Sequence, residues 1–94
     1  MLTKPVLLIT FNRPEHTRRV LTEILKAHPK DLYVFQDGAR DGNEWDKVKC
    51  AEVRDVFNES IADCGIRLHT LFSDNNLGCG PGPMTALNWF FSEN

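Results

Sequence analysis

Hydrophobic and polar positions along this chain switch repeatedly between two periods. Val6-Leu7-Leu8-Ile9 is an unbroken apolar run, which predicts a strand over residues 5–10 covered on both faces. From Pro14 the pattern changes to a helical one. Thr17, Val20, Leu21, Ile24 and Leu25 form one stripe, so a helix is expected from Pro14, which suits a first turn, to about residue 28, with Pro29 as its stop. Residues 31–36 (DLYVFQ) are β-branched, aromatic and apolar in the manner of a second strand. A polar loop over 39–43 leads into a second helix expected over about 44–63. Its apolar face is Cys50, Val53, Val56, Phe57, Ile61 and Cys64, with Gly65 as the C-terminal stop. Residues 66–72 alternate as a third strand. Ile66, Leu68, Thr70 and Phe72 point one way, and Arg67, His69 and Leu71 the other. A glycine-proline loop over 74–83 precedes a last helix expected over 84–91.

The order is strand, helix, strand, helix, strand, helix. This predicts a three-layer α/β sandwich with a mostly parallel sheet, as one domain over residues 1–94. In such sheets ligands bind beyond the carboxyl ends of the strands. Residues 10–13, 36–40 and 73–82 are therefore expected to converge.

Composition narrows the classes of function. The chain has 94 residues, 41% hydrophobic and 26% charged, with eleven basic and thirteen acidic side chains and a net charge of −2. These values exclude a disordered tail, and they lack the basic excess of a nucleic-acid binder. No apolar run is long enough for a transmembrane segment and no secretory leader is visible, so a cytoplasmic location is expected. Cys50, Cys64 and Cys79 form no C-x-x-C pair, which argues against a disulfide framework or zinc knuckle. Cys50 and Cys64 are expected to pack as small hydrophobes, and Cys79 to be more exposed. His16, His28 and His69 are scattered without ligand spacing, so no metal site is expected from them. Asp41, Glu44 and Asp46 are read as the solvated first turn of the second helix. Trp45, Trp89, Phe90 and Phe91 suit either a core or an exposed patch.

Each of the three loops has two readings. Thr10, Phe11, Asn12 and Arg13 bring a hydroxyl, an amide and a guanidinium to a helix start, whose unpaired N–H groups and dipole attract anions. Asn12 serves equally well as a helix cap. Asp37 follows the second strand directly, where a carboxylate can take ribose hydroxyls or a base N–H. Asp37-Gly38 is also a common turn pair, with Gly allowing positive φ. Asn76, Gly78 and Gly82 belong to a segment with three alternating glycines, suited to a backbone that approaches a ligand closely or to a plain surface loop. That segment is neither a dinucleotide fingerprint nor a Walker motif. A phosphotransfer receiver would need acidic residues after the first strand, where Phe11-Asn12-Arg13 stands.

Residues 5–14 (PVLLITFNRP), Phe35-Gln36-Asp37-Gly38, and Asn76-Leu77-Gly78 with Gly82 together resemble the N-terminal half of GT-A-fold glycosyltransferases. The resemblance is nearest to the family 2 and N-acetylglucosaminyltransferase I types and covers nearly the whole chain in order. It implies a truncated, Rossmann-like nucleotide-diphospho-sugar transferase fold that binds a nucleotide-diphosphate sugar, UDP-type first. The parent would transfer the sugar to a hydroxyl acceptor. Thr10, Phe11, Asn12 and Arg13 would border the nucleotide, Asp37 would meet the base or ribose, and Asn76, Gly78 and Gly82 would line the donor site. A Mn2+ or Mg2+ ion on an Asp-x-Asp motif is expected of the full-length parent. This chain contains no Asp-x-Asp, so it is expected to hold no metal, to supply no catalytic residue and to be inactive alone. An open sheet edge would then offer pairing with a second copy. The alternative is a non-catalytic α/β protein-interaction module, using the glycine-rich loop and Trp89-Phe90-Phe91.

Overall fold

The computed structural model describes residues 4–61 and 64–94. Six elements follow in the expected order: β1 (Val6–Thr10), α1 (Pro14–Lys26), β2 (Asp31–Gln36), α2 (Glu44–Ile61), β3 (Arg67–Phe72) and α3 (Pro81–Glu93). The three strands form one sheet in the order β1-β2-β3, and both pairings are parallel. Val6 lies opposite Leu32 and Thr10 opposite Gln36 on one side of β2. On the other side Asp31 lies opposite Arg67 and Gln36 opposite Phe72.

The central position of β2 explains its composition. Leu32 to Gln36 are all buried, because β2 has a neighbour on each edge and helices on both faces. Leu32 and Val34 face α1 and α2. They pack with Leu21, Val53, Val56, Phe57 and Ile61, and with Val6, Leu8, Ile24, Leu25, Leu68 and Phe72 around them. Tyr33 faces the opposite layer. Its ring stacks on His69 at 4.2 Å and meets Trp89 and Phe90 of α3 edge-on at 5.3 and 5.2 Å. Two helices on one face and one on the other make the three layers. The stripe over Thr17, Leu21, Ile24 and Leu25 and the face over Cys50 to Ile61 are the surfaces that turn inward.

The end of α1 and the start of α3 differ from the sequence reading. α1 ends at Lys26 because Ala27 closes it and His28 turns to φ +50°, delivering buried Pro29 to the sheet. α3 begins at Pro81, three residues before the expected start. Pro81 and Pro83 both sit in the first turn, where a missing N–H costs no helical bond. The expected end of the second helix at residue 63 lies outside the described residues. Cys64 is exposed rather than packed on the apolar face, its thiol donating to the Ser60 carbonyl at 3.0 Å. Among the described residues no helix is long and apolar enough to cross a membrane.

Candidate functional site

The carboxyl ends of the three strands open into a cleft of about 450 Å³. Its lining includes every residue singled out from the sequence: Thr10, Phe11, Asn12, Arg13, Asp37, Asn76, Gly78 and Gly82. Parallel register produces this convergence. Asp37 N–H donates to the Thr10 carbonyl at 3.0 Å and Ser73 N–H to the Gln36 carbonyl at 2.9 Å, so all three chains leave the sheet at one level.

Below the cleft lies Gln36, fully buried. Its amide donates to the Phe11 carbonyl at 3.1 Å and the Cys50 carbonyl at 2.8 Å, while its oxygen accepts from Arg54 Nε at 2.6 Å. A buried amide left unpaired is costly; here each bond also ties the first loop or α2 to the sheet end. Thr10 is occupied in the same way, its hydroxyl donating to the Phe35 carbonyl at 2.9 Å.

Asp37 is the hub of the third loop. Oδ1 accepts the N–H groups of Gly38 and Leu77, both at 2.8 Å. Oδ2 accepts Gly78 N–H at 3.1 Å and the Asn76 amide at 3.3 Å. The Asn76 amide also reaches the Gly38 carbonyl at 2.9 Å. Four donors fill the four lone-pair sites of a carboxylate. Asp37 therefore works as a clamp on residues 76–78, a role that the strand-end location did not reveal.

The glycines divide by physical need. Gly78 holds φ +85°, a left-handed conformation that suits glycine. Gly80 has open space around it, and a Cβ on Gly82 would meet Asp37 Oδ2 at an ordinary 3.5 Å. The close approach occurs instead at Gly38, where a Cβ would stand 2.7 Å from the backbone of Asn75 and from the Ser73 carbonyl. The Asp-Gly pair is thus a contact between loops rather than a positive-φ turn. Gly38→Ala is expected to cost about 1–3 kcal/mol by overpacking, read as a lower urea midpoint. An unchanged midpoint would show that the third loop can retreat freely.

A second carboxylate carries more of the site than the sequence suggested. Asp46 was expected to be solvated, yet its side chain is 0% exposed. Oδ1 accepts from Asn12 Nδ2 at 3.0 Å and Arg40 Nη2 at 2.9 Å. Oδ2 accepts from Arg40 Nε at 2.6 Å and from Arg40 N–H at 3.1 Å. The reason is backbone placement. Asn43 caps α2 by accepting Asp46 N–H at 3.0 Å, which turns Asp46 inward toward the first two loops. The Arg40 guanidinium holds this carboxyl well below the usual carboxylate range. Burial opposes that shift, and the Arg40 N–H and the Asn12 amide add to it. Arg40 is held charged in return. Asn12 is consequently no helix cap. Arg13 occupies the N-cap position of α1 without a side-chain cap bond, leaving the first N–H groups of that helix for other acceptors.

Cys50 lies buried under the second loop, with its thiol pKa pushed up mainly by burial. Cys79 is exposed and lines the cleft. Among the described residues no group of three or more His, Cys, Asp or Glu side chains is arranged to hold a metal ion. No protein-family model, curated protein or solved structure matches this chain.

Proposed function

We propose that this chain binds the nucleoside diphosphate of a sugar donor, UDP-type first, as the donor-nucleotide part of a GT-A-type glycosyltransferase acting on a hydroxyl acceptor. One observation carries the reading. One cleft at the carboxyl ends of three parallel strands gathers Thr10, Phe11, Asn12, Arg13, Asp37, Asn76, Gly78 and Gly82, the eight residues that the resemblance assigns to the donor site. The chemistry of its walls agrees with an anionic, partly aromatic ligand. Arg13 and the uncapped start of α1 offer donors to a diphosphate, and Phe11 offers a ring to a base. Asp37, Asn76 and Gly78 line the opposite wall, braced by the bonds to the Asp37 carboxylate and the Gly38 carbonyl. Asp37 supports that wall in this reading rather than contacting the base or ribose.

Titrating UDP and GDP into 15N-labelled protein is expected to move the amides of residues 11–16 and 76–78, with UDP more effective. No movement at millimolar nucleotide would overturn the reading. An interaction module is favoured by a different observation, the exposed apolar side chains Ile9, Met84, Leu87 and Phe91. Trp89 and Phe90 are largely taken up by Tyr33. A nucleotide-insensitive dimer in light scattering would select that alternative.

A further inference from the structure

Next to the cleft, at the start of α1, a shallower depression of about 360 Å³ is lined by Asn12, Arg13, Pro14, Glu15, His16, Arg19, Trp45 and Lys49. Its charge is unusual for this chain. Of the other arginines, Arg18 pairs with Glu59, Arg40 with Asp46 and Arg67 with Asp31, while Arg54 is bonded to Gln36 and lies over the Phe72 ring. Arg13 and Arg19 have no carboxylate within 4.0 Å among the described residues, and both line this depression. Lys49 is paired with Glu52 at 3.2 Å, and Glu15 is the acid on the rim, so two unmatched guanidiniums set the local sign. Of the three guanidiniums without a carboxylate partner among the described residues, Arg54 is taken up by Gln36 and the Phe72 ring, and the other two lie together here.

The second feature is Trp45. It is 57% exposed on the helix that faces α1, with the Lys49 ammonium 5.9 Å from its ring. An exposed indole is a platform for the C–H face of a sugar, with its N–H free for a hydroxyl. The third is position. Asn12, Arg13 and His16 belong to both the depression and the cleft, so occupants of the two spaces are neighbours.

We infer that this depression is a subsite for an anionic saccharide, whose ring lies on Trp45 and whose acid group is held by Arg13 and Arg19. The choice of a saccharide rests on the donor reading above, because the depression adjoins the cleft through Asn12, Arg13 and His16, and on the exposed Trp45 ring; the anionic character rests on the charges alone. The basic patch is too small to track a nucleic-acid backbone, which needs an extended stripe.

The test follows the Trp45 indole N–H in 15N spectra, with the Trp89 indole on the far face as internal control. The probes are glucuronic acid, glucose 6-phosphate, glucose and inorganic phosphate, with UDP titrated separately. At least one acidic sugar is expected to move the Trp45 signal and bind about fivefold or more tightly than glucose or phosphate. Whichever acid does so tells carboxylate from phosphate. Arg19→Gln is expected to weaken that binding about fivefold while leaving the UDP response intact, and Trp45→Phe to retain part of it. The subsite is overturned if neither acidic sugar moves Trp45, if glucose or phosphate alone binds as well, or if Arg19→Gln binds like the parent. Acidic-sugar binding that persists without a UDP response would sink the donor reading and keep the subsite. The reverse pattern would do the opposite.

Discussion

Asp37→Ala is expected to cost about 2–4 kcal/mol, because four hydrogen bonds to one carboxylate disappear at once and only some of the released N–H groups regain water. For a chain of this size that is a fall in Tm of roughly 10–20 °C, a large part of the ordinary stability of a small domain. The damage should be centred on the third loop. Leu77 and Gly78, whose N–H groups donate to Asp37, should lose their protection in hydrogen exchange, and the UDP response should vanish with the wall of the cleft. Asp37→Asn keeps one acceptor oxygen and turns an NH2 toward donors, so it should fall between the two. A small drop in Tm with unchanged Leu77 and Gly78 shifts would mean that residues 76–78 are held by something else.

Acid is expected to undo the second carboxylate. Asp46 titrates well below an ordinary carboxylate because Arg40 is beside it. Its contribution is therefore complete above the unfolded-state pKa and is lost as pH falls below about 4, toward the lower folded-state value. Asp46→Asn should be clearly less stable than the parent at pH 7, since Asn12 and Arg40 then face an amide that donates as well as accepts. The gap between the two proteins should shrink between about pH 4 and pH 2. Asp31 is also held low, chiefly by the hydrogen bond from His69, so both proteins keep some acid sensitivity. The difference between them isolates Asp46. Urea midpoints across this range measure it, and a gap that does not change with pH would contradict the pairing.

Much of the framework could be read from residue pattern alone. β2 was legible to the residue, because a strand buried on both faces carries an uninterrupted apolar signal in DLYVFQ. The stripes of α1 and α2 were legible for the same reason. The start of α3 was not, because Pro81, Gly82 and Pro83 read as loop residues until a helix uses the prolines in its first turn. The membership of the cleft was legible because strand ends in a parallel sheet must gather. What its side chains do there was not. Asp37 and Asp46 both look like surface acids in one dimension. Their burial depends on partners tens of positions away for Asp37, and on the turn that Asn43 sets for Asp46. Arg40 six positions before Asp46, and Asn43 three before it, were the available signals. Gly38 was masked by the turn chemistry of Asp-Gly, whereas its need for glycine comes from the arrival of Asn75.

The bonds that brace the cleft wall join Asp37 to residues 39 to 41 positions later. Contacts of such long separation demand that the second crossover, from β2 through α2 to β3, be finished before they can form. A partly folded chain holding only β1, α1 and β2 already owns Thr10, Asn12 and Asp37, yet has nothing to close them in. Whatever occupies the cleft can thus reward only chains that have already completed their sheet.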